Sequence, residues 1–412
     1  MRQNFKIAVR AFGPFECALR KQWHAFNESA PTGLDLELDS LELNALHRVL
    51  FEEHGALADE YDVVFINTDW IAALHRERNV LDLGPYLQAH PPEDYSHGWT
   101  PSLLRLQSVN GTILGLPYHD GPECLIYRHD LFHDEGEQMA YASRFGGRLR
   151  VPATWQEFRQ VASHFHRPEG GLWGTALAGF PDCHNTVYDF MLQLWTRSGD
   201  LFDEGGRLKF RTEPAIAALK FYRSLMQDPC ALHPGSREFD SIQLGETFAT
   251  GQLAMMVNWF GFAAWAETSD DSRVSGKIGL APIPRDPDGP DASLNIYWLL
   301  AISKGCRRPE LAYAFLRHCM SPAMDKLLTL EGAVGCRKST WSDPEVLAVV
   351  PHFRQLETLH THSRELPRTA DWPLIASLID DFVRSAAISN DPVERLLEQA
   401  DEQAANRFAR QA

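Results

Sequence analysis

Two stretches within the first 70 residues most constrain what this chain can fold into. Residues 34–42, LDLELDSLE, alternate strictly, with Leu34, Leu36 and Leu38 set against Asp35, Glu37 and Asp39. A period of two places one set on each face of a strand, so this strand keeps one face wet. Residues 61–69, YDVVFINTD, are instead an apolar run that ends in polar residues, as in a strand buried on both faces of a parallel sheet. Residues 5–12 read as a further strand. Helical stretches at 17–28, with Leu19, Trp23 and Phe26 spaced by four and three, and at 44–57 lie between the three strands. Strand–helix–strand–helix–strand with right-handed crossovers is an α/β unit. In such sheets ligands sit beyond the carboxyl ends of the strands. Here those ends are Phe12-Gly13-Pro14, Glu42-Leu43-Asn44 and Asn67-Thr68-Asp69-Trp70.

The chain has 412 residues, more than one hydrophobic core usually supports, so two domains are expected. The formal net charge of −16, with no lysine and arginine cluster, argues against a nucleic-acid surface or an anionic membrane surface. No run is apolar and long enough to span a bilayer. Met1 is followed almost at once by the first strand, with no apolar leader and cleavage site, so no signal peptide is expected in this chain. The seven cysteines are scattered and contain no C-x-x-C pair, which disfavours a disulfide framework or a zinc ribbon; buried free thiols are expected, and no metal or cofactor. Zinc-protease, P-loop, serine-hydrolase and dinucleotide-binding signatures are all missing.

Further along the chain, VPATWQEFRQVASHF (151–165) carries Thr154 and Glu157 as a capping box. TEPAIAALKFYRSLM (212–226) has Thr212 as cap and Pro214 in the first turn. Residues 246–257 read as a helix running into strand-like MMVNWF, 276–284 and 296–303 as strands, 286–293 as a surface turn, and 308–321 as a helix. The remainder from about 323 reads mostly helical, with disorder expected only near 401–412.

The stretch 115–132, GLPYHDGPECLIYRHDLF, places His119, Asp120, Glu123 and Cys124 around Gly121-Pro122, between the end of one run and the start of another strand. This is the pattern of a chain leaving one lobe for a second. The chain returns at GLAPIP (279–284) and crosses again near Met320-Ser321-Pro322. Repeated crossings make a hinge, and polar groups at a crossing face the cleft. The expected division is 1–118 with 283–322 as lobe 1 and 123–278 with 323–412 as lobe 2. The expected hinge crossings are 115–126, 278–284 and about 320–325.

YDVVFINTDWIAAL, VLDLGPYL, GTILGLPYHDGPECLIYRHDLF, VPATWQEF, FYRSLM, ETFATGQLAMMVNW, AISKGCRRPELAYAFLRHCMSP and GAVGCRKSTWSDP occur in this order. In that order they resemble the family 1 extracellular solute-binding proteins of ABC importers, the group that includes maltose-binding protein. Arg128-His129 replace the asparagine-lysine common in the family. The resemblance implies a periplasmic-binding-protein-like α/β fold, two α/β lobes joined by a multi-strand hinge with a ligand cleft between them. It implies capture of a carbohydrate or related polyhydroxylated molecule by hinge closure and delivery to membrane permease subunits, by a monomer in the periplasm, with no enzymatic activity and no nucleic acid. A cytoplasmic or sensor-coupled solute-binding protein is the alternative reading, and a glycoside-active enzyme using carboxylates such as Asp69, Asp120, Glu123 and Asp182 the remote one.

Sugar clefts set aromatic faces against the ring and planar polar groups against hydroxyls. The positions the resemblance assigns to ligand are Asp69 and Trp70 after the third strand, and Tyr118, His119, Asp120 and Glu123 at the hinge. Asp182 and Asn185, with His184, precede an apolar helix, and Asn258 and Trp259 follow LAMMV. Tyr297 and Trp298 precede LLAIS, and Arg337 follows GAVGC. Trp70 can instead pack in the lobe core, Tyr118 can be a hinge plug, alternation lets only one of Tyr297 and Trp298 face the cleft, and Arg337 can be a lobe-closing ion pair.

Overall fold

The computed structural model describes residues 4–53, 55–56 and 59–409. Its principal elements begin with β1 (Asn4–Arg10), α1 (Gly13–Ser29), β2 (Asp35–Leu41), α2 (Leu43–Phe51), β3 (Val63–Asn67), α3 (Ile71–Glu77) and β4 (Leu116–His119). There follow β5 (Glu123–Arg128), α4 (Trp155–Phe165), α5 (Asn185–Trp195), α6 (Glu213–Met226), α7 (Ser241–Ala249), β6 (Met255–Trp259), β7 (Ile278–Ala281) and β8 (Ser293–Leu294). The chain closes with β9 (Trp298–Ile302), α8 (Pro309–Cys319), α9 (Pro322–Leu330), β10 (Ser363–Arg364), α10 (Trp372–Ile388) and α11 (Val393–Ala409). Two compact units result: unit 1 holds 1–122, 295–361 and 365–372, and unit 2 holds 123–294, 362–364 and 373–412.

Unit 1 is built on a five-stranded sheet of order β2-β1-β3-β9-β4. β1 pairs in parallel with β2 and β3, whereas β9 runs antiparallel to both β3 and β4. Edge strand β2 has no fully buried residue, and β3 is buried throughout; the alternating and continuous patterns predict this difference. Helix α1 lays Phe15, Leu19, Trp23 and Phe26 against the sheet. Trp23 stacks on Phe5 of β1 at 4.6 Å between ring centres, and Phe315 of α8 meets Phe5 edge-on at 5.6 Å. Such pairs add to area burial.

Unit 2 holds a three-stranded antiparallel sheet of order β6-β5-β7 and a short parallel pair of β8 with β10. Helix α4 starts on the expected capping box, with Glu157 N–H donating to Thr154 Oγ1 and Thr154 N–H to Glu157 Oε2. Helix α6 starts at Thr212, whose hydroxyl accepts from Ala215 N–H.

Several expectations are corrected. The helix read over 44–57 is Leu43–Phe51, and residues 54, 57 and 58 lie outside the described residues. The helix placed at 246–257 starts at Ser241 on an Asp240–Gln243 capping box and stops at Ala249, because Met255–Trp259 pairs with β5. Residues 401–409, expected to be disordered, form the end of α11; 410–412 lie outside the described residues. Residues 323–361 belong to unit 1, not to the second lobe. Gln22 of α1 donates to the Met324 carbonyl at 3.0 Å, and Lys21 pairs with Glu331. Residues 283–294 stay in unit 2, where Arg285 N–H donates to Ala153 O at 3.0 Å. The chain therefore changes unit after residues 122, 294, 361, 364 and 372, and not near 278–284 or 320–325. An amphipathic helix shows in sequence that it buries a face, but not which core receives it.

Candidate functional site

In unit 1 the strand ends converge. Trp298, at the start of β9, lies opposite Asn67 at the carboxyl end of β3 and opposite His119 at the end of β4. The turn after β3 is held by its own side chains: Asn67 Oδ1 accepts from Asp69 N–H at 3.2 Å, and Thr68 Oγ1 from Tyr297 N–H at 3.1 Å. Trp298 is partly exposed, whereas its neighbour Tyr297 is buried and its hydroxyl donates to the Leu103 carbonyl. Trp70 is 3 % exposed and packs edge-on to Trp298 at 5.8 Å and to His47 at 5.4 Å, so the core reading describes it. Tyr118 is likewise core: it is 1 % exposed, lies against Phe65, and donates to Gln22 Oε1 at 2.9 Å.

His119 accepts the Val334 N–H on Nδ1 at 2.9 Å, and burial pushes its pKa down to about 4. It is therefore a neutral imidazole with its proton on Nε2. Asp120 is buried, and His360 Nε2–H donates to its Oδ2 at 2.7 Å. His360 stacks on Trp341 at 5.3 Å, and its Nδ1 meets Ser102 Oγ at 3.2 Å. Arg337 is committed to the interior of unit 1. Nη1 donates to the carbonyls of Glu93 and Met320, each at 2.9 Å, and the guanidinium lies 4.4 Å over the Trp99 ring. Buried Asp325 accepts the Cys336 and Arg337 amides and the Thr340 hydroxyl, which fixes the loop that carries Arg337.

In unit 2, Asp182 organises the start of α5. Its Oδ1 accepts from the His184 and Asn185 amides at 2.9 and 3.2 Å, and its Oδ2 from Asn185 Nδ2 at 2.9 Å. Asn258 is buried, donating to the Ser241 carbonyl at 3.0 Å and accepting Trp259 N–H at 2.8 Å. Trp259 ends β6 partly exposed, T-shaped against Tyr188 at 5.6 Å. Glu123 lies directly opposite it in the ladder. Burial first, and then the charge of Asp189, push the Glu123 carboxyl well above its ordinary range; burial raises Asp189 to about 8. Oε2 of Glu123 and Oδ2 of Asp189 have no hydrogen-bond partner among the described residues.

The structure thus brings Asp69, Trp70, Tyr297 and Trp298 to one sheet end in unit 1, with His119 beside them, and Glu123, Asn258 and Trp259 to one sheet end in unit 2. Each end presents one partly exposed tryptophan. Sequence reasoning missed Tyr188 and Asp189, although a lone acid in the apolar run VYDFMLQLW is a visible signal. It also missed Phe180, an exposed aromatic two residues before Asp182, and Asn295. Among the described residues, no group of three or more histidines, cysteines and acids is placed to hold a metal, and no helix is long and apolar enough to cross a membrane. All seven cysteines are free.

An α/β chain of two units, with polar and aromatic groups at the strand ends, has the architecture of a solute-binding protein. Residues 22–326 match the family described as bacterial extracellular solute-binding protein, and the chain belongs to that family. The mannitol-binding protein of Pseudomonas aeruginosa is 28% identical over 346 residues, covering 81% of this chain and 74% of the relative. Among solved structures, a solute-binding protein of Agrobacterium radiobacter K84 in complex with ribitol aligns with a TM-score of 0.86 at 22% identity, over 98% of this chain and 99% of that one. One from Agrobacterium vitis S4 with bound D-mannitol aligns at 0.85 and 19% identity, over 100% and 99%. The fold is the two-lobe periplasmic-binding-protein fold.

Proposed function

We propose that this chain is the solute-capturing component of an ABC importer, working as a monomer outside the cytoplasm, and that it takes a sugar alcohol or a small neutral sugar. The observation that carries this reading is the pair of partly exposed tryptophans, Trp298 and Trp259, each ending a sheet beside fixed polar side chains. Apolar faces of a polyol carbon chain or a pyranose lie against indole, and its hydroxyls need rigid donors and acceptors. The relatives named for mannitol and ribitol support the same class. Capture works as a clamp: solute held by one lobe gains contacts from the other only on closure, so binding shifts the population to the closed form, which the permease reads. No catalytic step is assigned, and the buried carboxyls of Asp120 and Glu123 serve as structural groups.

Isothermal titration with D-mannitol, ribitol, maltose and an amino-acid panel tests the reading. Micromolar binding of a polyol or sugar, about −8 kcal/mol, accompanied by a smaller radius of gyration in solution scattering, is expected; Trp259→Ala abolishes it. Binding confined to amino acids, or identical scattering with and without bound solute, would overturn it.

A further inference from the structure

Asn295 is the first residue of the segment that returns to unit 1. It is 1 % exposed, and neither its Nδ2 nor its Oδ1 has a hydrogen-bond partner among the described residues. Other buried amides of the same unit make at least one hydrogen bond: Gln22 donates to Met324 O and accepts from Tyr118, Asn79 donates to Leu50 O, and Gln107 donates to the Tyr95 hydroxyl although its Oε1 has no partner among the described residues. A side-chain amide carries two donors and two accepting lone pairs, and leaving such a group unpaired away from water is costly enough to need a reason. Asn295 lines a small cavity with Asp69, Thr68, Leu106, Ile296 and Arg368. Its floor is buried, whereas Asp69 and Arg368 reach the surface. Thr68 Oγ1 accepts from Tyr297 N–H, and the Arg368 guanidinium donates to the Arg105 and Ser108 carbonyls, so the unpaired amide of Asn295 is the group in this space that most needs a partner. The cavity is small, with room for one hydroxyl and not for a ring.

We infer that this cavity is the end-recognition site for the solute: Asn295, beside Asp69, takes a terminal hydroxyl group of a neutral polyol. The inference rests on the proposed polyol or sugar reading and names a further specificity-determining residue within it. A hydroxyl both donates and accepts, so one terminal group satisfies Oδ1 and Nδ2 of the amide in turn or together with the adjacent hydroxyl. A fully ionised phosphate or carboxylate offers no donor to Oδ1. An ammonium leaves Nδ2 unpaired. A methyl terminus leaves both unpaired, and a site built to hydrogen-bond a hydroxyl discriminates strongly against the analogue that lacks it.

The test is a hydroxyl-deletion cycle by isothermal titration with D-mannitol and 1,6-dideoxymannitol, which lacks both terminal hydroxyls, on the wild-type chain and Asn295→Ala, each with a thermal melt. Expected for the wild type is about 10–100-fold weaker binding of the dideoxy compound. Asn295→Ala should bind mannitol about 10–100-fold more weakly and lose most of the discrimination between the two. Asn295→Ser, which restores a donor and an acceptor, should recover part of both. A purely structural role would lower the melting temperature and leave the discrimination intact. Equal discrimination in wild type and Asn295→Ala, with wild-type polyol binding present, would overturn the inference alone and leave the cavity as a place for one structural water. A wild-type chain that binds no polyol or sugar would overturn the proposed function and this inference with it.

Discussion

Replacing Arg337 by Met separates a structural role from a solute-binding one. The guanidinium makes two 2.9 Å hydrogen bonds, to Glu93 O and Met320 O, and lies 4.4 Å over Trp99. A Cβ built on Gly98 would come 3.0 Å from its Nη2, so the group is tightly enclosed. Charge-assisted hydrogen bonds contribute about 1.5–3 kcal/mol each and a cation–π contact about 0.5–2 kcal/mol. Against this, methionine fills much of the volume and removes the cost of burying a cation, several kcal/mol. The net loss is then set mainly by the buried Met320 carbonyl left without its donor, about 2–3 kcal/mol. In a domain of roughly 150–250 residues each kcal/mol lowers the melting temperature by about 2–4 °C, so Arg337→Met should melt about 5–10 °C lower by calorimetry. Its Kd for the solute, measured well below that melt, should stay within threefold of wild type. A variant that melts with the wild type but binds solute tenfold more weakly would refute the reasoning and return Arg337 to the ligand.

Three further outcomes are expected. Asp189 is raised to about 8 and Glu123 in the same direction. Their protonated forms are therefore favoured on folding, and the stability this supplies is full below about pH 4 and lost as pH rises towards 8. Thermal melts should show Asp189→Asn gaining on wild type by about 1–3 kcal/mol at pH 8 and not at pH 4; a constant difference across that window would count against the buried-acid reading. Thr154→Ala removes one half of the α4 capping box, and urea titration should show a loss of about 1 kcal/mol with an unchanged slope. Gly174→Ala would put a Cβ 1.8 Å from the Ala162 carbonyl oxygen; a loss of about 3 kcal/mol or more, or failure to accumulate as soluble protein, is expected, and a melt within 2 °C of wild type would contradict the packing described.

The local elements were legible because their causes are local. The alternation of 34–42 becomes the edge strand β2, the apolar run at 61–69 becomes the buried strand β3, and Thr154 with Glu157 starts α4. The order of short motifs pointed to the solute-binding family, which the match over 22–326 bears out. Tertiary structure alone decided the rest. Which unit owns 323–361 depends on contacts hundreds of residues apart, such as Gln22 with Met324. Trp70 and Trp298 have the same side chain, yet one is core and the other partly exposed, because Trp70 ends the helical turn after β3 and packs against His47 and Trp298, whereas Trp298 starts β9 at the end of the sheet. Arg337 and Asp182 read as ligand groups in sequence, since a charge after a loop looks free until its hydrogen-bond partners are known; both are held by their own unit. Asn295 carried no signal in the sequence, because an unpaired amide is defined by what surrounds it in space.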